Sequence, residues 1–514
     1  MATGIVVRKN QYYDSVFLMG VNKRLSRVQG VTQTAVLMGT EKNKQLLVDI
    51  GIRADQVAAV RASDLIVAVI AETRQVVDDV LGSLDQALLA VEGDAPRSGL
   101  RTFEDALAAA PSANLALFTI PGEYVYREAR TALEAGLNVF IFSSNVPVEE
   151  ELKLKELASE RHLLVMGPDC GTSILGGVGI GFANAVRQGR IAAIGPSGTG
   201  LQEFTTLVHH AGYGISHALG TGSHDLSDRI GGITTYAALE ALEQDPQTDV
   251  VAIIAKPPGA NTLKGLGQRL STYSKPVVTC FLGVRSAEAA SHGTRRVART
   301  IDDAARLAVE CFMGAESDAP TGLSDQELQH VADVRQRWSA AQKYLRGVFA
   351  GGTFCYQAQQ IMQERGLRIH SNVPLDLGLG LENPNTSVGH TVLDMGDDAY
   401  TLGRPHPMID PTMRKQRITL EGQDPEVAVL LVDFILGQNA SGDPVGDLVD
   451  PIQRARETAQ ARDGELTVVA SICGTEADYQ DLSLQRRLLE DAGVIVFPSS
   501  TRAALFCAQL LEPG

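Results

Sequence analysis

The chain has 514 residues and a formal charge of −16, from 61 Asp and Glu against 45 Lys and Arg. That balance disfavours nucleic acid or an anionic membrane surface as the main partner and leaves room only for a local basic pocket. No apolar run reaches the length of a membrane span, and Met1 leads into the polar stretch ATGIVVRKNQYY rather than a signal peptide, so a cytoplasmic protein is expected.

At this length one hydrophobic core does not suffice, and roughly three or four domains are expected. The first segment alternates β-branched runs with helical patterns: GIVVRK, YDSVFLMGVNKRLSRV, QTAVLMG, LIVAVIAE and TRQVVDDVLGSLDQALLAVE. This predicts a small α/β domain ending near residue 92, then a polar linker over 93–102. A βαβ rhythm follows in LALFTI, EYVYREARTALEAG, NVFIFS, VEEELKLKELASER and LLVMG, the last running into PDCGTSILGG. Apolar strands between amphipathic helices predict a parallel sheet covered on both faces. The strands IAAIG, GISHALG, VVAIIA and PVVTCFL continue it, each leading into a glycine- or proline-containing loop. Binding sites in such sheets lie at the carboxyl ends of the strands. The stretch MGAESDAPTGLSDQ (313–326) reads as a second linker, and beyond the single tryptophan, Trp338, a further parallel α/β unit is predicted. Six cysteines without C-x-x-C spacing suggest neither a zinc site nor a disulfide framework.

Chemistry concentrates in the loops. In IAAIGPSGTGLQEF a strand, a turn of small residues (Ser197, Gly198, Thr199, Gly200) and a helix start succeed one another, so free N–H groups aim at one point and suit an anion. VFAGGTFCYQA repeats the arrangement with Gly351, Gly352 and Thr353. Two such helix N-termini suit a shared phosphate, the other reading being the echo of a duplication. The spacing in GTGLQE is not that of a dinucleotide fingerprint. LGRPHPMIDPTMRKQ places Arg404, His406, Asp410 and Arg414 in one proline-stiffened loop. There Arg404 could fork onto a carboxylate or phosphate and His406 donate a proton, or Arg and Asp could form a structural clamp. His224, Asp225 and Asp228 read as helix-capping residues. Asp394, Asp397 and Asp398 form an acidic loop able to hold Mg²⁺ through water, although no metal is expected.

MGPDCGTSILGG, IGPSGTGLQE, GTGSHDLSDRIGGI and GRPHPMIDPTMR together resemble the FdrA family over nearly the whole chain. More distantly, residues 110–312 resemble the α subunit of succinyl-CoA synthetase, and 345–514 the carboxy-terminal ligase domain of its β subunit. The resemblance implies an α/β fold with a small N-terminal α/β domain (1–95) and a Rossmann-like CoA-binding-type domain (103–188). Two flavodoxin-like ligase domains would follow, over 189–315 and 325–514, with one helix N-terminus from each half pointing at a phosphate. The synthetase carries its phosphate on a histidine in a Gly-His-Ala-Gly-Ala loop and steadies that ring with a glutamate. Here His292 lies near the expected place without glycine-rich surroundings and reads as an exposed loop residue, while AKPPG puts Lys256 where the glutamate would fall. An ammonium there favours direct binding of free phosphate or an acyl phosphate.

The amino-terminal glycine turn that meets CoA in the synthetase is missing, so CoA is expected to matter little. No cofactor is required on this reading, and phosphate is a substrate. Gly167, Asp169, Cys170, Gly171 and Thr172 of MGPDCGT are candidates for framing the substrate, the alternative being a loop that needs Gly167 and Gly171 for positive φ. The favoured activity implied by the family is that of a carbamoyltransferase subunit resembling oxamate carbamoyltransferase, in which oxalurate and phosphate give oxamate and carbamoyl phosphate. Lys256, His406 and Arg404 would be catalytic, and Asp410 would bind substrate. The alternatives are an NDP-forming acyl-CoA synthetase and a non-catalytic anion-binding scaffold. Expected partners are a small anionic ureido acid, phosphate or carbamoyl phosphate, companion subunits and a second copy of the chain, but neither nucleic acid nor membrane.

Overall fold

The computed structural model describes all residues except 1, 10, 12, 14, 27, 41–42, 45–46, 49–50, 93–101, 285–294, 317–321, 402–403 and 513–514. His292 therefore lies outside the described residues, as do most of the stretch 93–102 and part of 313–326. The chain divides into two compact units, residues 1–112 with 403–405, and 113–402 with 406–514. Among the described residues no helix is long and apolar enough to cross a membrane.

In the first unit β1 (Ala2–Arg8), β2 (Val31–Met38) and β3 (Leu65–Ala71) form an antiparallel sheet in the order β1-β3-β2. The run LIVAVIA takes the centre because it is apolar on both faces, with Leu65, Val67 and Val69 packing on Leu18, Val21 and Val77. The Thr73 hydroxyl caps the helix Arg74–Gly82 by accepting from the Val76 amide.

The second unit holds three sheets. β4 (Leu115–Phe118), β5 (Asn138–Ile141) and β6 (Val165–Met166) make a small parallel sheet. β7 (Thr172–Leu175), β8 (Val178–Gly181), β9 (Gln188–Gly195), β10 (Ile215–Gly220), β11 (Val250–Ala255), β12 (Val277–Phe281) and β13 (Arg295–Val297) make a seven-stranded sheet in the order β13-β12-β11-β9-β10-β7-β8. β14 (Tyr344–Phe349), β15 (Ile369–His370), β16 (His390–Asp394), β17 (Val427–Ile435), β18 (Thr467–Cys473) and β19 (Ile495–Phe497) form an all-parallel sheet in the order β15-β16-β14-β17-β18-β19.

The seven-stranded sheet is not purely parallel, contrary to the expectation for this region. TSIL pairs antiparallel to β10 and returns as β8 through Gly176 and Gly177, both at positive φ. Paired positive φ angles give the tight turn whose twist suits a two-residue hairpin. A Gly-Gly pair between short apolar runs was the available signal.

The two large sheets share one continuous core through the helices Gly198–His210, Ile301–Met313, Gly352–Glu364 and Ser500–Leu511, with Phe204, Phe354 and Phe506 fully buried. The Gly198–His210 helix is enclosed on nearly every side, so its polar residues need internal partners. Gln202 donates to the Phe182 carbonyl at 2.6 Å, and Glu203 accepts from the Ser500 amide and hydroxyl, both at 2.6 Å. These bonds lock the helix that opens the candidate site.

Candidate anion site

β9, β10 and β11 are adjacent and parallel, so the loops leaving their carboxyl ends converge. The last residue of β9, Gly195, is a glycine because a Cβ there would lie 2.0 Å from the Ile254 carbonyl oxygen. Two residues on, Ser197 caps the helix, its Oγ accepting from the Gly200 amide at 2.9 Å. The amides of Gly198 and Thr199, in the first turn, have no acceptor among the described residues and belong to the orphan donors of a helix start.

The second turn arrives at the same point. The Ser197 and Thr353 hydroxyls are hydrogen-bonded to each other, and both residues are buried. Ser197, Gly198, Thr199, Gly200, Gly351, Gly352 and Thr353 are thus brought together at two abutting helix N-termini. Electrically the two differ. Asp433, fully buried, already accepts from the Ala350 and Gly351 amides at 2.8 and 2.7 Å, and Asp394 Oδ2 lies 2.4 Å from where a Cβ on Gly352 would sit. The dipole of the Gly352 helix therefore faces internal carboxylates, whereas that of the Gly198 helix faces none of the described ones at bonding distance.

Lys256 follows β11 directly, is exposed, and sets Nζ 5.7 Å from the ring centroid of Tyr356 on the Gly352 helix, a cation–π distance. It lies within electrostatic reach of Asp394 and Asp169. Burial pushes the Asp394 carboxyl up to about 6, against the pull of Lys256. The folded-state value thus lies above the ordinary carboxylate range, so the linked stability is complete at low pH and is lost as pH rises through about 6. The same protonation removes a negative charge beside the helix starts. Sulfate, which does not titrate in this range, should bind several-fold more tightly at pH 5.5 than at 7.5, and Asp394→Asn should reduce that difference. Calorimetry at fixed ionic strength measures both, and an unchanged pH dependence in the variant would contradict the assignment.

The loop 167–172 closes another side. Gly167 at φ 114° and Asp169 at φ 56° occupy the left-handed half of backbone space. Gly171 does not, but its Cα lies 3.6 Å from where a Cβ on Gly198 would sit. Thr172 Oγ1 is 3.4 Å from that point, buried, and without a hydrogen-bond partner among the described residues. A buried hydroxyl left unpaired beside orphan amides is suited to an anion's oxygen. Asp169 stays exposed at its surface, yet desolvation by the flanking loops raises its carboxyl, with Ser223, His224 and Lys256 opposing.

Three expected residues serve other contacts, and a fourth, Arg404, falls in the other compact unit. Cys170 is buried inside its loop, Sγ facing the Thr172 carbonyl, and burial pushes its thiol up to about 12, which makes it packing rather than a substrate contact. Asp410, just ahead of the helix Thr412–Glu421, uses Oδ1 to accept from the Thr412 amide and hydroxyl at 2.9 and 2.5 Å, so that oxygen already serves the local turn. His406 packs on Phe182 with ring centroids 5.7 Å apart; Nδ1 accepts from the Met408 amide, and burial together with Arg414 lowers the imidazole to about 4. It is a neutral support beneath the Asp394 loop, where its Nε2 would meet a Cβ on Gly396 at 2.7 Å. Arg404 groups with the first compact unit, while His406, Asp410 and Arg414 belong to the second.

A CoA-ligase family model matches residues 348–510, a CoA binding domain model residues 186–263, and a model described as AllF, heavy metal-associated domain, residues 1–101. An uncharacterized protein of Escherichia coli K12, YahF, is 39% identical over 515 residues, covering 100% of this chain and 99% of that protein. The chain belongs to the succinyl-CoA-synthetase-like, FdrA-type family. The α subunit of an ADP-forming succinate–CoA ligase from Methanothermobacter thermautotrophicus is 27% identical over 33% of this chain and 57% of that subunit. A dinucleotide-forming acetyl-coenzyme A synthetase 1 from Ca. Korarchaeum cryptofilum, solved with phosphate and ADP, overlaps 81% of this chain and 86% of its own at 15% identity, with a TM-score of 0.30 that bears no functional weight. The CoA-ligase model and the succinate–CoA ligase subunit favour the acyl-CoA ligase reading over the carbamoyl-transfer one. The N-terminal residues fit a heavy metal poorly: 1–101 contain neither cysteine nor histidine, and their soft donors are only the thioethers of Met1, Met19 and Met38, scattered along the sequence.

Proposed function

We propose that the protein binds phosphate at the Gly198 helix start and handles an acyl phosphate there, in the manner of an NDP-forming acyl-CoA synthetase. The observation that carries this is the Ser197–Thr353 contact, which abuts two helix starts and leaves the Gly198 and Thr199 amides free of internal acceptors. Helix N-termini and lysine stabilise charge as it develops on an oxygen, at roughly 3 to 4 kcal/mol per well-placed donor. Phosphate attack on an acyl thioester would give acyl phosphate and CoA, and the reverse would consume them.

Lys256 favours a second reading. An ammonium where the synthetase keeps a glutamate suits an acyl phosphate that is never passed to a histidine, and carbamoyl phosphate is such a compound. Companion subunits belong to this reading. The test incubates the chain, alone and with the products of neighbouring genes, with phosphate and either acyl-CoAs or oxalurate. Hydroxylamine trapping reports acyl phosphate, and carbamoyl phosphate is assayed separately. Product from acyl-CoA supports the first reading, product from oxalurate the second. Phosphate that fails to bind in calorimetry defeats both.

A further inference from the structure

Beside the anion site sits a charge cluster that the capping interpretation does not explain. Lys155 and Glu151, one turn apart on the helix Val148–Glu160, are both buried and joined at 2.9 Å. Lys155 Nζ also donates to Asp225 Oδ1 and the Thr221 carbonyl, each at 2.8 Å. Asp225 is indeed a cap, accepting from the Thr234 and Thr235 amides. His224 caps nothing. Its Nδ1 meets Glu151 Oε2 at 3.1 Å, its side chain is half exposed, and Nε2 has no hydrogen-bond partner among the described residues.

Two buried carboxylates against one ammonium leave one negative charge, which an imidazolium at His224 neutralises. The loop that bears it adjoins the anion site: the Thr221 amide donates to the Gly195 carbonyl, and Gly222 packs on Gly167 and Pro168, at whose far end Gly171 meets Gly198. We propose that His224, pinned by Glu151, is the proton-transfer group of this site. The proposal rests on the phosphate reading above. As a phosphate oxygen bonds to the acyl carbon, the bond from that carbon to the leaving heteroatom breaks and the electron pair stays on the heteroatom. The Nε2 proton moves onto that atom, and the proton released by the phosphate restores the imidazolium. The groups that set the charge of His224 are Glu151 and Lys155 from the helix, Asp225 from its own loop and Asp169 from the facing loop. The hydrogen bond to Glu151 raises its basicity, against desolvation and Lys155, with Asp169 assisting.

Diethyl pyrocarbonate, which acylates only neutral imidazole, tests this on the full chain by mass spectrometry from pH 5 to 8.5, with exposed His162 as internal reference. His224 labelling should rise with pH as the imidazolium loses its proton, and 10 mM phosphate should slow it several-fold while leaving His162 labelling unchanged. Glu151→Gln should make His224 react several-fold faster at pH 6.5. Because Glu151 is buried, the half-exposed variant His224→Gln provides a second test: sulfate binding should weaken several-fold at pH 6 and not at 8.5. Phosphate that binds in calorimetry yet leaves His224 labelling unchanged overturns the proposal, as does unchanged sulfate affinity of His224→Gln at pH 6. Silent calorimetry on the wild-type chain instead defeats the functional reading on which it rests.

Discussion

Lys256→Glu should reduce phosphate binding at least tenfold, the largest loss expected from any single change at the mouth of the site. The side chain acts on both Asp394 and Asp169, whose carboxyls desolvation raises, and offsets each of them, with His224 assisting at Asp169. Replacing it by a carboxylate removes an attraction and adds a repulsion. At about 4 Å each is worth roughly 1 kcal/mol in a water-like and 4 kcal/mol in an interface-like dielectric. Because Lys256 is exposed, the loss should shrink as salt rises, with the Debye length near 10 Å at 0.1 M. Lys256→Ala should be milder, since only the attraction goes. Calorimetric titration with phosphate at two salt concentrations separates these cases, and wild-type affinity in Lys256→Glu at low salt would place the anion elsewhere.

The largest effect on stability should come from Arg414→Ala. Arg414 Nη2 donates to Asp433 Oδ1 at 2.8 Å and to the carbonyls of Asp433 and Val348 at 2.7 and 3.0 Å, with both side chains buried. Removing the guanidinium leaves Asp433 in the core with only the Ala350 and Gly351 amides, and stranding a buried charge in this way costs about 3 to 5 kcal/mol. The double change Arg414→Met with Asp433→Asn should cost less than Arg414→Ala, because neither charge is then left alone. Denaturant unfolding of the second unit measures this, and a double variant less stable than the single one would refute it. Since Asp433 also holds the turn before Gly352, Arg414→Ala should weaken phosphate binding as well.

Much of the architecture was legible because strands buried on both faces are written as continuous apolar runs, and VVAIIA and LIVAVIA form strands in full. The Ser197 and Gly351 turns were legible for a different reason. Small residues between an apolar strand and a helix have few uses beyond close approach and capping. Other residues misled. LGRPHPMIDPTMRKQ looked like one catalytic loop, yet His406, Asp410 and Arg414 go to three separate tasks. Linear proximity of charged groups cannot say which of them fold inward. Within EEELKLKEL, Glu151 and Lys155 are fully buried, which the local pattern of charges does not mark. Their partners, Asp225 and His224, lie some 70 positions away.

The sequence by itself determined the class of the fold, the succession of strands and helices, and the two small-residue turns able to receive an anion, because each depends on local pattern and backbone freedom. Tertiary structure alone decided that TSILGG reverses into a hairpin, that the Ser197 and Thr353 hydroxyls touch, and that Asp433 takes the Ala350 and Gly351 amides just ahead of the second helix. These outcomes depend on burial, which sets the cost of a charge and the need for a partner, and on contacts between residues far apart in the chain. Neither quantity is carried by any short stretch of residues.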